Sequence, residues 1–143
     1  MTASVLRASV SPDDLDVAEH AELVGSAVAG AVVTFAGVVR DHDHGRGVLE
    51  LEYSGHPSAA RVLAEVAASV AADAPDGVRA LAVSHRVGLL AIGDVALACA
   101  VAAEHRAEAF AVCAQLVDEV KRVLPVWKRQ VFTDGTVEWV NCP

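Results

Sequence analysis

The chain has 143 residues, of which 54% are hydrophobic and only 4% aromatic, and its formal net charge is −8. That length suits a single domain, residues 1–143, able to fold without disulfides or a structural metal, and 21% charged residues in so apolar a chain exclude wholesale disorder. Nineteen acids against eleven bases exclude a general nucleic-acid binder. No apolar run reaches the roughly 18 residues of a membrane helix, and the start lacks a signal-peptide pattern, so the expectation is a cytoplasmic protein without nucleic-acid or membrane partners.

In chain order, residues Val5 to Val10 suit a short first strand. Asp16 followed three residues later by Glu19 reads as a capping box opening a helix to about Ala29, with Gly30 as its stop. The β-branched run Ala31 to Arg40 predicts a strand. The polar segment Asp41 to Gly47 then reads as a loop. Val48 to Ser54 alternates apolar and polar residues, as a half-exposed strand does. Pro57 opens a helix to about Asp73, with Leu63, Val66 and Val70 as its buried stripe.

Two strands follow, Val78 to Val87 and Asp94 to Ala103. In the second, Ala96, Ala98, Ala100 and Ala102 share one face, flat enough for a helix to approach closely. Arg106 to Leu124 predicts the longest helix, with Phe110, Cys113, Val117, Val120 and Leu124 toward the core, and Pro125 stops it. Val126 to Phe132 and Thr136 to Val140 form a hairpin around Asp134-Gly135. The order β-α-β-β-α-β-β-α-β-β predicts an α+β fold, with helices covering one face of a mixed sheet.

Chemistry is confined to short polar clusters. Arg40-Asp41-His42-Asp43-His44 offers either two imidazoles and carboxylates for a divalent metal or a solvated loop, and Arg40 at the strand end is placed as an anion clamp. His85-Arg86 enters a loop and reads as structural. His105-Arg106 stands where a helix begins, so it either assists an anion at the helix N-terminus or faces solvent.

Nine of the eleven bases are Arg; the two lysines, Lys121 and Lys128, flank Pro125 at a helix–strand turn that can bring both amines to one cleft. That pair suits acid/base or amine-nucleophile chemistry on an anion, or else helix-dipole compensation with an Asp118–Arg122 pair. Cys99 and Cys113 sit in apolar stretches and read as buried, while Cys142 is near the C-terminus. Three cysteines without CxxC spacing make no disulfide framework.

Taken together and in order, GAVVTFAGVVRDHDHG, LEYSGHPSA, VSHRVGLLAIGD, AAEHRAEAF, DEVKRVLPVWKRQVF and DGTVEWV resemble the catalytic (large) subunit family of molybdopterin synthase, from Gly30 to Trp139. The resemblance implies an α/β-hammerhead-like mixed sheet with covering helices and an additional small antiparallel sheet. It implies a homodimer at the centre of a heterotetramer, whose other subunit is a small ubiquitin-like sulfur carrier ending in a Gly-Gly thiocarboxylate. The implied reaction converts cyclic pyranopterin monophosphate into molybdopterin by adding two dithiolene sulfurs, without a resident cofactor or metal. By the same resemblance Lys121 and Lys128 match the catalytic lysines and Arg40 the active-site arginine. His105 and Arg106 match a substrate-binding pair reaching the neighbouring subunit's pocket, and Val38, Val39, Arg129 and Gln130 flank the site.

Overall fold

A computed structural model describes residues 2–141. Its elements run β1 (Ser4–Ser11), α1 (Val17–Val24), β2 (Ala31–Val38), β3 (His42–Asp43), β4 (Arg46–Gly55), α2 (Ala59–Asp73), β5 (Val78–Arg86), β6 (Gly88–Leu90), β7 (Val95–Ala103), α3 (Arg106–Val123), β8 (Val126–Phe132) and β9 (Val137–Asn141). Cys142 lies outside the described residues. No helix among the described residues is long and apolar enough to cross a membrane.

The strands make two sheets. The first has the order β1-β5-β7-β2, with β1 parallel to β5 and the other pairs antiparallel, so it is mixed. The second is antiparallel, in the order β3-β4-β8-β9, with β6 also paired to β4. The four-stranded mixed sheet, the helices and the five-stranded antiparallel sheet together make the α+β architecture expected above.

The helices occupy both faces of the first sheet rather than one. On one face α2 and α3 bury Leu63, Val66, Leu116 and Val120 against Leu81, Val83, Leu97, Cys99 and Val101. Each such fully buried Leu or Val contributes about 1.5–3 kcal/mol relative to exposure. On the other face α1 sets Val24 against Ala80, Ala82, Ala100 and Ala102, and these methyl-only side chains admit it. The alternation within β7 thus serves two layers, with branched residues toward the pair of long helices and alanines toward the short one.

Three local expectations change. Helix α1 ends at Gly25, whose N–H donates to Ala21 O, not at Gly30. The constraint at Gly30 is a close approach: a Cβ there would stand 2.6 Å from the carbonyl oxygen of Glu104. The short helix is held by a buried polar chain instead of by length. His20, 1% exposed, donates from Nδ1 to the Asp16 carbonyl (2.6 Å), and its Nε2 meets Ser84 Oγ (2.7 Å), which meets Ser9 Oγ (3.0 Å). Phe110 is 61% exposed, because the buried stripe of α3 is Ala109, Val112, Cys113, Leu116, Val117 and Val120, which keeps Cys113, Val117 and Val120 of the expected set and leaves Phe110 at its margin. Arg122 pairs with Glu119 (2.8 Å) rather than with Asp118.

The predicted loop at Asp41 to Gly47 is a tight hairpin. His42 pairs with Gly47 and Asp43 with Arg46, across His44 and Gly45 at φ 51° and 77°. Positive φ at both central residues is the geometry of a two-residue type I′ turn.

Candidate active site

Strand pairing between β4 and β8 builds one wall of a cleft. Tyr53 stands opposite Lys128 and Leu51 opposite Gln130, and alternation puts these four on one face. The first sheet supplies the other wall through Gly37 and Val38 of β2, Ala96 and Leu97 of β7, and His85 of β5. Lys121 enters from the last turn of α3, and Pro125 reverses the chain so that Lys128 follows on β8. The cleft measures about 240 Å³.

Val39 is pinned just beyond β2: its N–H donates to Asp94 O and its carbonyl accepts from Gly93 N, both at 2.9 Å. It is buried with Leu51, Leu90 and Ala96. Arg40 therefore leaves a fixed point of the backbone, and its guanidinium donates to Asp43 Oδ1 at 3.2 Å. The other oxygen of Asp43 accepts from Gln130 Nε2 at 2.8 Å. The hydrogen bond from the Gln130 amide outweighs the opposing cost of burial and, with the electrostatic pull of His44, Lys128 and Arg40, leaves Asp43 with a pKa below the usual carboxylate range.

His85 forms the uncharged floor. Burial pushes its pKa down to about 4, and the charge of Lys121 acts in the same direction against the bond to Arg86. Its Nδ1 donates to the Arg86 carbonyl at 2.7 Å, which assigns the lone pair to Nε2. The Tyr53 ring stands edge-on to it, with centroids 4.9 Å apart. Burial raises the thiol pKa of Cys99 and Cys113, so neither presents a thiolate. Among the described residues no three His, Cys, Asp or Glu side chains are grouped to hold a metal ion.

Six of the residues selected from sequence thus line one cleft: Val38, Val39, Arg40, Lys121, Lys128 and Gln130. Arg129 alternates onto the opposite face of β8, across from Glu52 and Trp139. His105 and Arg106 are exposed at the start of α3, fifteen residues before Lys121, hence about 22 Å away along the helix. His105 is the N-cap but makes no side-chain capping bond. His42 and Asp43, raised from sequence only as part of a metal cluster, line it as well, and Tyr53, Leu51 and His85 join the site without having been singled out for it. The alternation of 48–54 indicated that Leu51 and Tyr53 share a face but not which strand they meet.

The MoaE protein family matches residues 10–123. The molybdopterin synthase catalytic subunit of Pyrococcus abyssi is 41% identical over 130 residues, covering 91% of this chain and 86% of that one. The protein of the same description from Oryza sativa subsp. indica is 40% identical over 124 residues, 86% of this chain; the match spans 63% of the rice protein's length. Among solved structures, the X-ray crystal structure of molybdopterin synthase from Staphylococcus aureus superposes with a TM-score of 0.83 at 28% identity, covering 92% of this chain and 95% of that one.

Proposed function

The chain belongs to the MoaE protein family, and from that premise we propose that it is the catalytic subunit of a molybdopterin synthase. It moves sulfur from the C-terminal thiocarboxylate of a small carrier subunit to cyclic pyranopterin monophosphate, and two such transfers make the dithiolene. The observation that carries this reading is the convergence of Lys121 from α3, Lys128 from β8 and Arg40 from the link between β2 and β3 on one cleft of a chain whose net charge is −8. Both proposed substrates are anions, a phosphate ester and a thiocarboxylate, and both need cations at fixed positions.

In this reading the carrier's tail enters beside Lys121 and its sulfur attacks the pterin side chain. Lys121 serves as acid/base or captures the acyl end released from sulfur, while Lys128 and Arg40 hold the anionic groups. The apolar and neutral lining from Leu51, Tyr53, Leu97 and His85 strengthens those contacts by keeping competing water and charge low. Sulfur arrives with the carrier, which agrees with the two buried cysteines being protonated.

His105 and Arg106 require a second copy. Strand β2 is the last strand of its sheet, and its outer edge pairs with no other described strand. Its first residue, Ala31, pairs with Ala103, two positions before His105, whereas its last, Val38, opens the cleft. An antiparallel two-fold pairing of β2 with the same strand of a second copy lays one start beside the other end. It thereby brings each His105-Arg106 toward the opposite cleft.

The test is conversion of the pterin precursor by the purified chain plus thiocarboxylated carrier. The expected result is a product carrying two sulfurs per pterin, and none above the protein-free control would overturn the reading. Lys121→Ala should abolish that product while the variant still elutes and melts like the parent; full activity would remove Lys121 from its assigned role.

A further inference from the structure

An acid in an anion-binding cleft is at first sight misplaced. Asp43 lines the same space as Lys128 and Arg40, its side chain is only 14% exposed, and its charge opposes the binding of any anion there. Whatever it contributes must therefore come through geometry. Its two oxygens serve different donors: Oδ1 accepts from the Arg40 guanidinium, Oδ2 from the Gln130 amide. Gln130 is 2% exposed, so its amide needs a partner. Arg40 has a side chain 65% exposed, free to sweep through solvent unless something holds it. Asp43 itself is held by the pairing with Arg46 across the His44-Gly45 turn.

We propose that Asp43 is a positioning residue of the cleft, fixing the Arg40 guanidinium and the Gln130 amide so that both face the anion bound beside Lys128. This deepens the synthase reading and rests on it. The role demands a carboxylate. Arg40 and Gln130 both donate, and a carboxylate accepts from each, whereas an asparagine has one acceptor oxygen and must turn its own NH₂ toward the other donor. His44 approaches the same carboxylate at 3.8 Å but is 86% exposed, so it adds little restraint.

The experiment compares Asp43→Asn, Asp43→Glu, Arg40→Ala and the double variant Arg40→Ala/Asp43→Asn, with thiocarboxylated carrier and pterin precursor. Asp43→Asn should lower kcat/KM about tenfold, the effect of losing one charge-assisted hydrogen bond, with an unchanged melting temperature, and Asp43→Glu should recover most of it. In the Arg40→Ala background the same substitution should cost no more than about twofold, since its main route is gone. Wild-type kcat/KM in Asp43→Asn, or an undiminished tenfold loss without Arg40, would overturn the proposal. A loss accompanied by a matching fall in melting temperature would also overturn it, as a sign of a structural role. A second readout needs no turnover: rotation of the Arg40 guanidinium about Nε–Cζ, followed by NMR in the free protein, should be faster in Asp43→Asn. If the wild type turns nothing over, the synthase reading fails and this measurement still decides Asp43; an unchanged rotation rate sinks it.

Discussion

Protonating His85 would put a charge in the core with Lys121 nearby, and this makes one imidazole a measurable part of the protein's acid response. Its pKa is lowered to about 4 in the folded chain, against about 6.5 when unfolded. Between those values the unfolded state binds more protons, so stability is full above pH 6.5 and falls as the pH drops toward 4. The loss amounts to about 3 kcal/mol. Urea midpoints measured between pH 7.5 and 4.5 should therefore slope downward in the wild type and run nearly flat in His85→Gln. An equal slope in both would locate the acid sensitivity elsewhere.

Among elements, the contact of α1 with the first sheet is the most sensitive to volume. Ala82, Ala100 and Ala102 are completely buried beneath it, and a branched side chain has nowhere to go. Ala100→Leu should cost about 1–3 kcal/mol by overpacking, read as a lower urea midpoint, while the kcat/KM of the folded fraction stays unchanged because the cleft lies elsewhere. An Ala100→Leu protein as stable as the parent would mean that α1 is not packed there. This layer was legible in the sequence, since small and branched residues alternate along β7 with period two. Phe110 was not. Its ring suggested burial, yet on α3 it falls at the margin of the stripe through Ala109, Val112, Leu116 and Val117. Arg40, Lys121 and Lys128 announced themselves as polar breaks in apolar runs, whereas Gln130 entered only through the family resemblance. Tyr53 gave no such signal, and Asp43 stood out only in a candidate metal cluster, because their place depends on the register of β4 against β8 and on the hairpin at His44-Gly45, and local periodicity specifies a face without specifying the neighbour across it. His20 was hidden for the same reason, its partner Ser84 being 64 positions away.

At the scale of the whole molecule, the chain carries a net charge of −8 while the cleft gathers Arg40, Lys121 and Lys128 against the single acid Asp43, so the proposed chemistry is set apart from the surface by sign. The proposed dimer makes a sharper demand, because each complete site would take Lys121 from one copy and Arg106 from the other. Mixing inactive Lys121→Ala and Arg106→Ala proteins through a cycle of dissociation should restore roughly a quarter of wild-type activity, since half the dimers are mixed and each has one intact site. No recovery would place both residues in the same subunit's site or outside it. The strand invoked for that pairing has a second consequence. From Ala31 to Val38 it carries no charge and no proline, the features that ordinarily keep an open sheet edge from recruiting strangers. Under the proposed pairing, a copy without its mate exposes an adhesive seam, and overproduction would threaten proteostasis before the fold itself loses any stability. If β2 pairs as proposed, assembly is this chain's protection against precipitation, and the unpaired copy is the form that chaperones and proteases would meet first.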